Sequence, residues 1–366
     1  MTPALFSPTK IGNMELSHRV VLAPLTRLRN TKDHIPTPMM TDYYTQRTTP
    51  GGFLISEACV ISATAGGYPY CPGIYTEEHI NAWKTIVDAV HAKGGYIYLQ
   101  IWHIGRASTS ACMPNNEKPW APSPIAIKGV DVIGQPYEEP RELDQENIDI
   151  IVRDFAQAAK NAVKAGFDGV EIHGANGYVI DQFINTSSNI RTDKYGGPIE
   201  NRCRLCLDVV DAVAEAVGPE RTAIRFSPWS DFQDMKDDTP YETWGYLCKE
   251  IQRRHPKLSY IHFIEARDDY AYHEPGTEKN TIDPFREAWK GPIVSSGGYT
   301  THPEKAFEVA AETGDLIAFG RSFIANPDLP ERLKNGWPLQ KYDRSTFYTQ
   351  DEAGYLDYPF YAPESA

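Results

Sequence analysis

Eight short apolar runs, most of them separated by stretches with helical periodicity, limit what this chain can fold into. They fall at residues 20–24, 53–56, 96–99, 170–172, 222–224, 260–264, 292–296 and 316–319. Each is nearly continuous in Val, Ile, Leu, Phe or Tyr rather than alternating with polar residues, as expected of strands covered on both faces. Each also ends abruptly in small or polar residues. Strands alternating with helices predict a parallel α/β protein, and a count of eight favours a closed (β/α)8 TIM barrel over a doubly wound sheet. No strand is followed by the glycine fingerprint of a dinucleotide-binding sheet, which points the same way.

The stretches between the runs fill out this plan. Residues 5–18 alternate and carry a turn at Gly12-Asn13, which predicts an N-terminal hairpin. Thr76 is placed to cap a helix whose apolar face is Ile80, Trp83, Ile86, Val87 and Val90, with Gly94 as its stop. Ile148, Ile151, Phe155, Ala159 and Ala162 give a second amphipathic helix after Asp144. Pro198 suits the first residue of a third, Thr239-Pro240 opens a fourth, Pro303 opens one that Gly314 closes, and Asn326-Pro327 opens the last. Residues 103–141 are rich in Pro and Gly and show no helical period. After strand three they form a long loop, read as a lid or a disordered insert. The segment 267–283 matches no pattern; it is expected to border the entrance to the site, with Tyr270 or Tyr272 near the pocket. The whole chain, 1–366, is expected to be one domain.

With 366 residues and 41% hydrophobic content the chain can bury a large core, and a net charge of −13 makes nucleic acid or an anionic membrane surface a poor partner. No apolar run is long enough to span a membrane, and residues 1–10 lack a basic segment followed by an apolar one. The six cysteines form no disulfide framework, so a reducing, cytoplasmic setting is expected. Cys203 and Cys206 have redox-motif spacing but lie on an apolar helical stripe, where core packing is the simpler role. Asn185-Thr186-Ser187 matches a glycosylation acceptor but lacks a secretion signal to give it meaning. Monomer and homodimer are both open.

In a barrel of this kind the site lies where the strands end. The residues just past the strand ends are Thr26, Ala58, Gln100, Trp102, His173, Asn176, Tyr178, Arg225, Gly297, Gly298, Gly320 and Arg321. His173 and Asn176 can converge on one oxygen as hydrogen-bond donors, and Tyr178 can supply a proton, which suits a reaction that develops an enolate. The plain alternative is a strand end with its polar groups capped by backbone. Gly297-Gly298 and Gly320-Arg321 occupy the usual phosphate position of the fold, with tight turns and a surface ion pair as the alternative. Arg225 on strand five points inward and needs an anionic or acceptor-rich partner; Glu171 or Glu265 could also serve. Gln100 can donate and accept at once, which suits the edge of a heteroaromatic ring, although a backbone partner would satisfy it equally. No Cys/His cluster has zinc spacing and no Asp/Glu group is set for a divalent cation, so side chains or an organic cofactor must carry the chemistry.

These residues match a known family. The chain resembles the Old Yellow Enzymes, FMN-dependent ene-reductases, from residue 5 to about residue 361. The match rests on Ala23-Pro24-Leu25-Thr26-Arg27, Leu99-Gln100-Ile101-Trp102-His103, His173-Gly174-Ala175-Asn176-Gly177-Tyr178, Asp181-Gln182-Phe183, Arg191-Thr192-Asp193-Lys194-Tyr195-Gly196-Gly197, Asn201-Arg202 and Gly320-Arg321. The resemblance implies that Thr26 bonds the flavin ring and tunes its reduction, and that Pro24, Leu25 and Ala58 line it. Gln100 would hold the pyrimidine edge, Arg225 would sit by N1 and O2, and Gly297, Gly298, Gly320 and Arg321 would hold the phosphate. His173 and Asn176 would bind a substrate carbonyl, Tyr178 would deliver the proton, and Trp102 and Tyr348 would shape the pocket. The implied mechanism is ping-pong. NADPH or NADH reduces FMN, then flavin N5 gives hydride to the β-carbon of an enone or enal while Tyr178 protonates the α-carbon. Other readings remain beside it. A specialised secondary-metabolism reductase or isomerase could use the same scaffold. A flavin-free phosphate-binding lyase would want a lysine or a metal, and no lysine stands at a strand end. A flavin-binding protein without catalytic duty would not need the His173, Asn176, Tyr178 set.

Overall fold

The computed structural model describes residues 2–131, 134–266 and 280–362. Eight parallel strands close on themselves: β1 (Val20–Leu22), β2 (Phe53–Ile55), β3 (Tyr96–Trp102), β4 (Gly169–His173), β5 (Thr222–Phe226), β6 (Tyr260–Ile264), β7 (Ile293–Ser296) and β8 (Leu316–Phe319). Each pairs with its neighbours in sequence order, and β8 pairs with β1 to complete the circle. The fold is therefore a (β/α)8 TIM barrel, with helices on the outside of the ring.

The two faces of each strand explain why the apolar runs are continuous. Residues turned outward join the helix faces in one large core that includes Val20, Leu22, Leu54, Ile97, Leu99, Val170, Ile172 and Ile224. Residues turned inward form a second, smaller core: Val21, Phe53, Tyr98, Ala223, Tyr260, Val294 and Leu316. The N-terminal hairpin, Thr9–Ile11 paired antiparallel with Met14–Leu16, adds Ile11, Met14 and Leu16 to that inner core. Its turn places Gly12 at φ +53°, where a Cβ would meet the Glu220 carbonyl at 2.3 Å, so only glycine suits the plug.

Most element expectations hold, and the departures have physical causes. Thr76 caps the helix Glu77–Ala92, its hydroxyl accepting from the His79 N–H at 3.2 Å. β3 runs on through Gln100, Ile101 and Trp102, beyond the apolar run. The helix Pro38–Arg47 has no apolar stripe to announce it, because its buried face is Met40, Tyr43, Tyr44 and Arg47. Pro198 is an N-cap rather than a first helical residue, and the helix after it breaks at Cys203 into Ile199–Arg202 and Arg204–Val217. The final helix, Leu329–Asn335, starts two residues after Pro327, and a short helix, Arg321–Ala325, precedes it. Cys203 and Cys206 are fully buried in the outer core. Of 267–283, residues 267–279 with Tyr270 and Tyr272 lie outside the described residues. The long loop after β3 packs down through buried Trp120 and through Arg106, which donates to the carbonyls of Ile125 and Gln233.

Two buried arginines tie a late segment to the barrel mouth. Arg29 donates to the carbonyls of Thr346, Phe347, Asp351 and Ala353 at 2.8–3.1 Å. Arg27 donates to those of Phe347 and Gly354. Tyr355 stacks on Tyr43 at 4.2 Å behind them. Each such bond contributes about 1 kcal/mol and leaves a costly unpaired carbonyl if lost. Arg29→Leu is expected to speed chymotryptic cleavage at Phe347 and Tyr348 by at least about tenfold while the far-ultraviolet spectrum stays native; an unchanged cleavage rate would show that Arg27 suffices.

Candidate active site

At the carboxyl ends of the strands lies a cavity of about 360 Å³. Its walls contain each residue read from the strand ends, and Tyr348: Pro24, Leu25, Thr26, Ala58, Gln100, Trp102, His173, Asn176, Tyr178, Arg225, Gly297, Gly298, Gly320 and Arg321. They come from seven of the eight strand ends and from the late segment pinned by Arg27 and Arg29. No described residue of the loop 103–141 lines the cavity, and none of the lining residues is a lysine. Sequence reading passed over Tyr68, Ser296, Tyr299, Arg344 and Phe347, which also line it. The one available signal was position: Ser296 ends a strand, Tyr68 follows Gly66-Gly67, and Arg344 precedes Phe347-Tyr348.

The cavity carries cationic groups, although the chain as a whole is strongly acidic. Arg321 and Arg344 line it, as do Gly297, Gly298 and Gly320. Gly297 and Gly298 have φ +113° and +78°, values that keep side chains away from whatever the backbone approaches. Arg225 stands on β5 in register with His173 on β4. Its Nε is buried and has no partner, a costly state unless a ligand supplies an acceptor. Gln100 on β3 lies in register with Glu171 on β4 and donates to it at 2.8 Å.

Three side chains meet as aromatic and imidazole faces. His173 and Tyr178 have ring centroids 4.8 Å apart, as do Trp102 and Tyr178, both near perpendicular. Trp102 lies nearly parallel to His173 at 6.3 Å. Burial holds His173 well below the usual imidazole range, and the Arg225 charge adds to this, so the ring is neutral. Its Nδ1 accepts from the Ala175 N–H at 3.4 Å, which assigns the proton to Nε2. Asn176 Oδ1 is buried without a partner, so the amide is open to a ligand and can turn its NH2 toward it. Tyr68 shares a hydrogen bond with Tyr178, and burial pushes the Tyr68 phenol well above its ordinary range. Trp102 Nε1 is also buried and unpartnered. Tyr348, 53% exposed, forms part of the rim.

The loop that carries this set is held from behind. Asn176 and Gly177 both adopt left-handed backbone, φ +58° and +75°. The Asn176 N–H donates to Ser227 Oγ and the Gly177 N–H to Asp181 Oδ2, each at 2.8 Å. Asn185 donates to the other oxygen of Asp181, and Gln182 to the Gly177 carbonyl. The left-handed conformation of a non-glycine residue is thus secured by two side chains that do not line the cavity.

Orphaned donors at Arg225 and Trp102 in a cavity lined by arginines and glycines fit a ring system that carries a phosphate, and the parallel barrel places it at the expected rim. The fold and site define a barrel flavin oxidoreductase. The sequence profile of the NADH:flavin oxidoreductase / NADH oxidase family matches residues 4–340. A 12-oxophytodienoate reductase 1 of Oryza sativa subsp. japonica is 49% identical over 360 residues, 97% of this chain and 93% of that one. A 12-oxophytodienoate reductase 2 of Arabidopsis thaliana is 48% identical over 365 residues, 97% and 95% of the two chains. Among solved structures, morphinone reductase superposes with a TM-score of 0.91 at 43% identity, covering 99% of this chain and 97% of that one. An old yellow enzyme homologue from Zymomonas mobilis gives 0.90 at 40% identity, covering 98% and 99%. The chain belongs to the NADH:flavin oxidoreductase / NADH oxidase family, the Old Yellow Enzyme family of FMN-binding oxidoreductases.

Burial of Asp181 predicts a pH effect. Desolvation pushes its carboxyl up from 3.8 to about 7. Between those values the folded protein keeps a proton that the unfolded chain has lost. The stabilising contribution is therefore complete below the lower value and lost as pH rises through the upper one. Asp181→Asn removes this titration. From about pH 5 to about pH 8 the variant should gain on the wild type by about 2–3 kcal/mol in unfolding free energy, measured by urea titration. Parallel pH profiles would mean that the folded carboxyl is ionised throughout.

Proposed function

We propose that this protein is an FMN-dependent ene-reductase that takes reducing equivalents from NADPH or NADH and saturates the activated C=C bond of α,β-unsaturated carbonyl compounds. The observation that carries the reading is that His173, Asn176 and Tyr178 line one cavity together with Arg225, Arg321 and Arg344. The relatives named for the reduction of 12-oxophytodienoate and of morphinone support it. So does a morphinone reductase complex with tetrahydroNAD, which is 44% identical with a TM-score of 0.90.

Gly297, Gly298, Gly320 and Arg321 would hold the FMN phosphate. Gln100, Arg225 and Thr26 would hold the polar edge of the ring, with Pro24, Leu25 and Ala58 lining it. When bound, the flavin supplies a two-electron relay that accepts hydride from a reduced nicotinamide and passes hydride to the substrate β-carbon.

The chain's own residues do the rest. The Nε2–H of neutral His173 and the NH2 of Asn176 donate to the substrate carbonyl oxygen and stabilise the charge that develops there. Neutral imidazole suits this role, because it donates without losing its proton. Tyr178 gives its phenolic proton to the α-carbon, completing addition of one hydride and one proton across the double bond. Arg225 would stand by the pyrimidine part of the ring, where its guanidinium would favour negative charge. Trp102 and Tyr348 shape the space for the substrate. We also read residues 1–366 as a single domain that works in a reducing compartment, where its six unpaired cysteines are at home. The narrow substrates in the relatives' names favour a second reading: a reductase or isomerase dedicated to one natural product. Product analysis separates the two.

Tyr178→Phe is expected to bleach normally with NADPH under anaerobic conditions and to lose about 100-fold or more in the re-oxidation rate with 2-cyclohexen-1-one. Stopped-flow absorbance reads both halves. Enone turnover at the wild-type rate would remove Tyr178 from the proton-donor role, and a protein that neither carries nor takes up FMN would sink the flavoenzyme reading.

A further inference from the structure

Glu171 does not line the cavity, yet it stands at the centre of the polar network inside the barrel. It is fully buried on β4. Its Oε1 accepts from Gln100 Nε2 at 2.8 Å. Its Oε2 accepts from the Tyr260 hydroxyl at 3.0 Å and from His262 Nδ1 at 2.9 Å. His262 Nε2 continues to Ser296 Oγ at 3.0 Å, and Ser296 lines the cavity. His262, Gln100 and the nearby charge of Arg225 hold the Glu171 carboxyl below its ordinary range in spite of burial, so it is ionised.

An ionised carboxylate offers only lone pairs. Whatever end of the Gln100 amide faces Glu171 must therefore be the NH2 end. An isolated amide could turn about its last bond and present either end to a ligand; this one cannot do so without setting its oxygen against a buried negative charge. Among the described residues no hydrogen bond reaches Gln100 Oε1. The wall thus presents an acceptor at Gln100, while Arg225 presents only donors.

We propose that Glu171 is a positioning residue that fixes the Gln100 amide, so that this wall of the cavity accepts a hydrogen bond from a ring N–H. The proposal rests on the flavin reading of the site and deepens it. The pyrimidine edge of a flavin carries an N–H between two carbonyls. An acceptor at Gln100 beside donors at Arg225 is complementary to that edge in one orientation. Glu171 thus sets which hydrogen-bonding pattern the site reads, through a residue one strand away.

A double-mutant cycle on FMN affinity tests this, read by quenching of flavin fluorescence in apoprotein reconstituted with FMN. In Glu171→Gln, residue 171 gains an NH2 that can donate to Gln100 Oε1, which frees the amide to turn its own NH2 toward the cavity. Glu171→Gln and Gln100→Leu should each raise the FMN Kd by about tenfold or more. The double variant should be no more than about threefold worse than the weaker single, because both remove the same acceptor. Tyr260→Phe, which removes a bond to the other carboxylate oxygen, should stay within about threefold of wild type. A double variant whose loss is the product of the two single losses overturns the proposal, as a merely structural role for Glu171 would give that result. Should Glu171→Gln fail to fold, the wild-type holoenzyme still decides. With nitrogen-15-labelled FMN, the ring N3–H should appear as a hydrogen-bonded proton protected from solvent exchange, and a freely exchanging N3–H overturns the proposal. Failure of wild type to bind FMN at all would be seen before any variant is made, and would overturn the flavin reading instead.

Discussion

Closure of the barrel is the constraint on which everything else depends. Once β8 pairs with β1, no strand edge is left to end the sheet, and the carboxyl ends of all eight strands must share one rim. Residues separated by up to 300 positions become neighbours for that reason alone. The same closure leaves the opposite end to be filled, and the hairpin residues Ile11, Met14 and Leu16 fill it. It also concentrates charge. The chain carries a net −13, yet its cavity gathers Arg225, Arg321 and Arg344. Long-range attraction could not hold an anionic group on such a surface; local guanidinium groups and backbone N–H groups can.

The side chains that face the cavity are held by others that do not. His173 keeps its proton on Nε2 because the Ala175 N–H occupies Nδ1. Asn176 keeps a left-handed backbone because Ser227 and Asp181 bind the two N–H groups of that turn. Phe347 and Tyr348 stay at the rim because Arg27 and Arg29 saturate the carbonyls around them. The cost of placing unpaired donors in a cavity is thereby met in the surrounding shell, where burial and hydrogen bonding are both complete.

This division explains what could be read from the sequence. The strand bodies are legible because burial on both faces demands continuous apolar runs, and β6 and β8 have the predicted limits. The cavity residues are legible because each strand ends in a side chain unlike its body. β3 extends beyond its apolar run because Gln100 interrupts that run as a polar strand residue lining the cavity, while Trp102 lines the cavity and packs into the outer core at once. The helix Pro38–Arg47 went unseen because it buries Tyr43, Tyr44 and Arg47 around the late segment instead of an aliphatic stripe. Tyr68, Arg344 and Phe347 reach the site from loops, where no periodicity reports direction. The partners of Glu171 lie 71 to 91 positions away, and only the register of paired strands reveals them.

The segment pinned by Arg27 and Arg29 follows every barrel strand in chain order. Its two anchors, in contrast, are among the first residues after β1. A chain emerging amino end first exposes these arginines long before the carbonyls that pair them. In chain order the last wall of the cavity, Arg344, Phe347 and Tyr348, is the final part to appear.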